Sequence, residues 1–263
     1  RWTYTPVGDF NGSGALSYEV SDGEFTAPVN TSITITSVND PAMIDGDSTG
    51  VVMEGASLVA HGQLTITDPD TGESSFQAAT IEGQYGSLDI DNSGSWTYTV
   101  DNNLEAVQSL AAGQVLPDSI DVTSYDGTTQ TIQITITGTN DGPVVLDTVS
   151  LPATEDTALT ITEAQLLEYA TDVDGDDLHV ENLRVREGFE HDGTLIDNGD
   201  DTWTFSPTGD FSGSIALAYD VSDGTDITPA NATVQVDPVN DPATFGGDST
   251  GSVTEDHDGQ LAG

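Results

Sequence analysis

The sequence predicts an all-β chain of tandem Greek-key β-sandwiches joined end to end. Three observations carry this: apolar and polar residues alternate at period two, turn residues recur every eight to twelve positions, and the whole pattern repeats at a domain-sized interval. Asn39-Asp40-Pro41, Asn140-Asp141-Gly142-Pro143 and Asn240-Asp241-Pro242 mark the period, with their Asn residues 101 and 100 positions apart. Residues 2–50 align without a gap to residues 203–251 at an offset of 201, and 27 of these 49 positions are identical. A period of about one hundred residues is a module and not a small solenoid repeat.

Taken along the chain, Trp2-Thr3-Tyr4, Trp96-Thr97-Tyr98 and Trp203-Thr204-Phe205 each place an aromatic pair on one face of a predicted strand. Their register with the strands makes these Trp residues core rather than sugar platforms. Ile33-Thr34-Ile35, Thr131 to Thr137 and Val234-Gln235-Val236 alternate as half-buried strands do. Asp22-Gly23, Asn92-Ser93-Gly94, Asp126-Gly127, Asn198-Gly199 and Asp223-Gly224 supply the turns. This spacing gives about seven strands per module. Two short helices are expected as loop decorations. One carries Leu104, Val107, Leu110 and Ala111 after a capping Asn102-Asn103, and the other opens on the Thr162–Gln165 capping-box pattern. The modules are of two alternating kinds. Residues 1–41 match the end of the second kind, 42–142 and 143–242 are complete units, and 243–263 match the start of the first kind, so the sequence reads as an internal slice of a longer protein.

Charge and cysteine content restrict the function. Three Lys plus Arg stand against 46 Asp plus Glu, for a net charge of −43, and Lys is absent. Nucleic-acid binding needs basic residues in number and is excluded. No apolar run is long enough for membrane insertion by a helix. With no cysteine, disulfides cannot staple these small domains, which leaves metal as the expected cross-link. A compact state at this charge repels itself, and bound cations relieve that repulsion.

A metal site is predicted at each joint. A Glu follows each linker Asn at fifteen residues, as Asn39 to Glu54, Asn140 to Glu155 and Asn240 to Glu255. An Asp-x-Asp comes next, Asp68 with Asp70 in one unit and Asp172 with Asp174 in the other, and an Asp-Gly turn later, at Asp126 and Asp223. Greek-key connectivity returns the B–C and F–G loops to the pole where the linker enters, so these acids are expected to meet Asp40, Asp141 or Asp241 there. The preceding unit contributes Asp9 or Asp210 from its E–F loop. Five to seven oxygen ligands suit Ca2+ better than zinc. Asp172-Val173-Asp174-Gly175-Asp176 begins like an EF-hand loop, but its Gly is at position four and Leu183 is at position twelve, so it is not one. Asp176 and Asp177 are expected to be solvated or at most outer ligands. Because Gly55 stands where the other two units have an acidic residue after the Glu, the 39–70 joint is expected to bind one ion fewer or to bind more weakly.

The motifs of residues 42–142, "GDSTGVVMEG", "GQLTITDPD", "DNSGSWTYTV" and "SYDGTTQTIQITITGTNDGP", closely resemble the VCBS repeat of giant bacterial surface proteins. Those of residues 143–242, "ATEDTALTIT", "ATDVDGDDL" and "SGSIALAYDVSDG", resemble the bacterial cadherin-like tandem repeat. The resemblance implies immunoglobulin- or cadherin-like sandwiches that bind calcium, in extenders of large RTX-type adhesins exported by type I secretion. The expected function is a calcium-rigidified extender segment of a secreted surface adhesin at the bacterial cell surface, whose partners are the neighbouring repeats of the same chain. The distal target, a glycan or a cell surface, is not specified by any segment. The alternative is a glycan- or protein-binding recognition module within the same adhesin. No enzyme is expected. His61, His179, His191 and His257 share no ligand spacing, no G-x-S-x-G occurs, and acidic pairs are too numerous to signal a glycosidase.

Overall fold

The computed structural model describes residues 1–242 and Gly246. The chain divides into two compact units. Of the described residues, one holds 1–144, 171–178 and 222–227, and the other holds 145–170, 179–221 and 228–242 with Gly246.

The first unit opens with an antiparallel hairpin of β1 (Gly12–Ser21) and β2 (Thr26–Ile35), turned by Asp22. The Asp22 Oδ1 accepts the backbone N–H groups of Glu24 and Phe25 at 2.9 and 2.8 Å. A sandwich follows, built from β3 (Met43–Gly46), β4 (Thr49–Met53), β5 (Val59–Thr67), β6 (Ala79–Glu82), β7 (Gly86–Ile90), β8 (Ser95–Val100), β9 (Val115–Thr123) and β10 (Thr129–Thr137). Its sheets run β3-β5-β8-β7-β6 and β4-β10-β9. Period-two alternation decides which side chains face inward: Trp96, Tyr98 and Val100 from β8 pack with Ile132, Ile134 and Ile136 from β10.

The first strand of this sandwich is split between the sheets. β3 pairs antiparallel with β5, and β4 pairs parallel with β10, from Thr49 opposite Gln133 to Met53 opposite Thr137. The crossing at Asp47 is held by the Trp96 indole, whose Nε1 donates to the Asp47 carbonyl at 2.7 Å. Parallel pairing sends β4 toward the end of the sandwich where β10 exits.

A second polar tie sits inside the core. Asp118 is buried, and its carboxylate accepts four bonds: Gln84 N and Ser119 N at Oδ1, Tyr85 N and the Tyr98 hydroxyl at Oδ2. Burial, and then this carboxylate, push the Tyr98 phenol far up.

The second unit carries β11 (Val144–Val145), β12 (Val149–Thr154), β13 (Leu159–Thr162), β14 (Ala170–Thr171), β15 (His179–Val185), β16 (Gly193–Asp197), β17 (Thr202–Pro207), β18 (Gly213–Ser222) and β19 (Ile227–Asp237), the first and fourth forming a short pair. Its main sheets are β12-β19-β18-β15 and β13-β17-β16. Here too the first strand is parallel to the last, with Val149 opposite Ala232 and Thr154 opposite Asp237. Leu151, Ile161, Phe205, Leu217, Tyr219 and Val234 fill the core. The Tyr219 hydroxyl donates to the Leu166 carbonyl at 2.7 Å.

Both helices are single turns. α2 (Glu163–Leu166) has the expected capping box between Thr162 and Gln165. α1 (Glu105–Gln108) starts from Leu104 and has no side-chain cap, so Asn102-Asn103 does not play the role its sequence suggests. Another expectation fails at Trp2-Thr3-Tyr4, which is not a strand, and Trp2 is fully exposed. Its counterpart Trp203 is strand and core because β17 is paired on both sides, by β13 and β16. Among the described residues the first hairpin is a sheet of two strands only, so residues 2–4 have no paired neighbours against which to bury their aromatic side chains.

Asp118→Ala leaves three backbone N–H groups and one hydroxyl without their acceptor. It is expected to lower stability by about 3 kcal/mol in urea unfolding, against about 1 kcal/mol for Tyr98→Phe, which frees one bond only.

Candidate metal centres

Three acidic clusters form where the linkers meet the loops. In the first, the Asp40 backbone N–H donates to Asp70 Oδ2 at 2.9 Å, and Asp70 N donates to Asp68 Oδ1 at 2.7 Å. Asp68, Asp70 and Glu73 bring one carboxylate oxygen each within 4.8 Å of the others. Loss of water and then the charges of Asp70 and Asp68 push the Glu73 carboxyl up. Asp9 lines the same groove as Asp40 and Asp70. Asp126 also reaches the linker, accepting from Ala42 N at 3.0 Å, but the Ser124 hydroxyl, the Thr128 hydroxyl and Thr128 N occupy it as well. These donors, Ser124 first, hold its pKa well below the usual carboxylate range. Asn39 is exposed.

The second cluster gathers Glu54, Asp141, Asp172, Asp174 and Asp176. Asp141 N donates to Asp174 Oδ2 at 2.8 Å, repeating the Asp40–Asp70 bond. Asp172, Asp174 and Asp176 hold carboxylate oxygens within 4.8 Å of one another, and Asp172 Oδ1 accepts from Asp174 N. Burial, followed by Asp172 and Asp174, pushes the Asp176 carboxyl up. The Asn140 amide donates to Asp223 and Asp226 at 3.0 and 2.9 Å. Glu54 is only 1% exposed, and burial with the charges of Asp141 and Asp174 pushes its pKa up to about 7. Its Oε1 accepts from Gln108 Nε2 of α1 at 2.9 Å.

The third cluster brings Asp156, Asp210 and Asp241 within the same 4.8 Å. Burial, then Asp210 and Asp156, raise the Asp241 carboxyl. The buried Glu155 accepts from Val239 N at 2.5 Å. Asn240 donates to the neighbouring Asp241 carbonyl at 3.2 Å. Glu255 lies outside the described residues.

Unpartnered oxygens fit these clusters to a hard cation. Among the described residues, the buried side-chain polar atoms without a hydrogen-bond partner are Glu54 Oε2, Asp68 Oδ2, Glu73 Oε2, Asp141 Oδ2, Asp172 Oδ2 and Asp174 Oδ1. All are carboxylate oxygens in the first two clusters. A buried anion without donors is costly, and two carboxylates 4.8 Å apart repel by about 3 kcal/mol at an effective dielectric of 20. An all-oxygen donor set without His or Cys is the chemistry of calcium rather than zinc.

Residues 39–138 match the bacterial cadherin-like domain, and residues 139–237 match the cadherin-like domain. The chain carries cadherin-like domains in tandem. Among solved structures, it is similar to mouse clustered PcdhgC3 EC1-3, at 15% identity over 87% of this chain and 77% of that one, with a TM-score of 0.46. It is also similar to Drosophila N-cadherin EC1-4, at 14% identity over 86% and 58%, with a TM-score of 0.30. An endo-fucoidan hydrolase of glycoside hydrolase family 107 aligns at 15% identity, where this chain spans 35% of the hydrolase, with a TM-score of 0.30. No curated protein matches the sequence.

In both cadherin-like domains, the predicted meeting of linker, Asp-x-Asp and Asp-Gly turn is present, through Asp40 with Asp70 and Ala42 with Asp126, and through Asp141 with Asp174 and Asn140 with Asp223. The fifteen-residue Glu is placed differently. Glu54 lies not with Asn39 but with Asp141 and Asp174, and Glu155 lies not with Asn140 but beside Val239 and Asp241. Parallel pairing is the reason: Glu54 N binds the Thr137 carbonyl and Glu155 N the Asp237 carbonyl, each acceptor being the final residue of the last strand. The consequence expected from Gly55 moves with it. Gly55 and Asp156 occupy matching left-handed turns, at φ of 62° and 59°, so Gly55 withholds a carboxylate from the second cluster and not from the first. Asp176 brings a carboxylate oxygen within reach of Asp172 and Asp174 from the exposed edge of the cluster. Sequence reasoning missed Glu73, whose only signal is its position three residues after Asp70, and Asp226 and Gln108, which carry none.

The Glu54 carboxyl titrates near 7 in the native state and near 4.5 otherwise. The native state therefore binds more protons between those values, and its stability without divalent cations falls as pH rises through that window. Glu54→Gln removes this slope. In calcium-free buffer its urea midpoint is expected to match the parent near pH 4 and to exceed it at pH 8.

Proposed function

We propose that this chain is a calcium-rigidified extender segment of a secreted bacterial surface adhesin, which projects a distal binding domain away from the cell. The observation that carries the reading is the set of orphaned, buried carboxylate oxygens beside Asp40 and Asp141. Cadherin-like domains are extracellular adhesion or extender modules, and their tandem arrangement supports the mechanical role. In this reading, residues 42–142 are of the VCBS kind and the parent protein is an RTX-type adhesin whose partners are its own neighbouring repeats.

Each residue has a distinct part. Asp172 and Asp174 supply oxygens from the loop, Asp141 from the linker, and Glu54 from the end of β4. Asp126 and Asp223 serve as clamps of their turns, since backbone and side-chain donors occupy them. Calcium converts mutual repulsion into a cross-link, stabilises each cluster by mass action and limits bending at the linker.

Chelation is expected to lower the melting temperature by on the order of 10 °C and to broaden the distribution of dimensions in X-ray scattering. An unchanged melt and unchanged maximum dimension would refute the role of calcium. The Asp172→Ala/Asp174→Ala variant is expected to lose at least one ion in isothermal titration, while the core around Trp203 still folds. Wild-type stoichiometry in that variant would make both residues ordinary surface acids.

A further inference from the structure

The cadherin-like domain of residues 139–237 is open along one flank, beside a break in the regular pattern of an edge strand. β15 ends the sheet β12-β19-β18-β15, and β16 ends the sheet β13-β17-β16. Along β15, Glu181 and Asn182 are both exposed between the half-buried Val180 and Leu183, so the alternation slips by one residue. Asn182 takes a left-handed backbone at φ of 54°, which marks a β-bulge and which Asn tolerates better than most residues. Two bonds hold the bulge. Asn182 Nδ2 donates to Asp220 Oδ2 of β18 at 2.9 Å, and Arg184 Nη1 donates to the Asn182 carbonyl at 2.9 Å.

The two edge strands and Trp203 of β17 line a cleft of about 590 Å3, within the size range of small-molecule sites. Its half-buried lining is apolar, from Val180, Leu183 and Leu195, and its exposed rim carries Glu181, Asn182 and Asp197. Asp197 stands directly opposite Trp203 in the β16–β17 register. In the preceding domain Trp96, from the same Trp-Thr-aromatic pattern, is 1% exposed and gives its Nε1 proton to the Asp47 carbonyl at 2.7 Å. Trp203 is 8% exposed, and its indole N–H has no acceptor among the described residues. A buried indole N–H ordinarily finds a partner, so an unpaired one on the wall of a cleft points to a ligand.

We infer that this cleft binds a neutral saccharide. The hydrogen-bonding groups decide the class. Trp203 needs an acceptor, whereas the carboxylates of Glu181 and Asp197 need donors. The Glu181 carboxylate has no partner among the described residues, and Asp197 uses only its Oδ1, which accepts from Gly199 N at 2.8 Å. An ammonium or guanidinium group offers donors alone and leaves the indole unpaired. An anion offers acceptors alone and meets two carboxylates in a chain of net charge −43. A hydroxyl group does both. Hydroxyls around a pyranose ring pair with the indole and the two carboxylates, while the C–H face of the ring lies on Val180, Leu183 and Leu195. Trp203 remains a core residue in this arrangement and contributes its N–H rather than a stacking face. None of these residues belongs to the acidic clusters, so the site stands apart from the calcium reading.

The test follows the indole N–H resonances of the isotope-labelled full chain while cellotetraose, maltotetraose, laminaritetraose and chitotriose are added singly, in calcium-containing buffer. Trp203→Phe assigns the resonance. At least one of these sugars is expected to shift the Trp203 signal and to leave that of Trp96 in place. With that sugar, Glu181→Gln and Asp197→Asn are each expected to weaken binding about tenfold, because each removes a charge-assisted bond and keeps the shape of the side chain. An unchanged pattern of β18 amide resonances in both variants shows that the domain is folded. A Trp203 signal that none of these sugars moves at millimolar concentration would overturn the site. So would an equal shift of that signal with spermidine, since the cleft would then take a cation. Full affinity in both carboxamide variants would overturn it as well.

Discussion

Parallel pairing between the first and last strands of each sandwich is the constraint on which the acidic clusters depend. β4 runs alongside β10, and β12 runs alongside β19, so the residue after each first strand arrives where the chain leaves the domain. That residue is Glu54 or Glu155. Its backbone N–H closes the ladder on Thr137 or Asp237, and its side chain is then fixed beside the following linker. The switch of the strand between sheets, tied by Trp96 to Asp47, makes this possible without lengthening the chain. A hydrophobic core thus holds a carboxylate in a place that charge alone would never select.

The carboxylates divide into two populations by what surrounds them. Asp118, Asp126 and Asp223 are surrounded by donors, and they organise a core, a turn and a turn. Glu54, Asp141, Asp172 and Asp174 each keep a buried oxygen without a donor, and so do Asp68 and Glu73. The linker backbone takes part as well, because Asp40 and Asp141 give their N–H groups to Asp70 and Asp174, and Asp141 also presents its own acid to its cluster. Anions held together in this way by the fold demand a counter-charge, and a chain of net −43 with three Arg and no Lys provides almost none internally.

The clusters are not equivalent. Gly55 and Asp156 sit in the same left-handed turn, and only the second carries an acid into its cluster. Glu73 takes, after Asp70, the part that Asp176 takes after Asp174. Alternating two kinds of domain therefore alternates two kinds of acidic centre along the chain.

Much was legible without coordinates. The alternation at Ile132, Ile134 and Ile136, the aromatic pairs at Trp96 and Trp203, and the turn residues determined an all-β chain of repeated sandwiches, because side-chain period and turn chemistry are local properties. Asp-x-Asp and Asp-Gly could be placed at the linker because Greek-key connectivity returns those loops to one pole. The pole reached by Glu54 and Glu155 was decided by tertiary structure alone. Fifteen residues of spacing are the same whether a strand ends near its own linker or beside the next one, and only its pairing partner sets the difference. Burial was likewise beyond the sequence: Trp2 and Trp203 sit in nearly identical segments, yet one is exposed and the other is core, because burial belongs to the strands alongside and not to the residue.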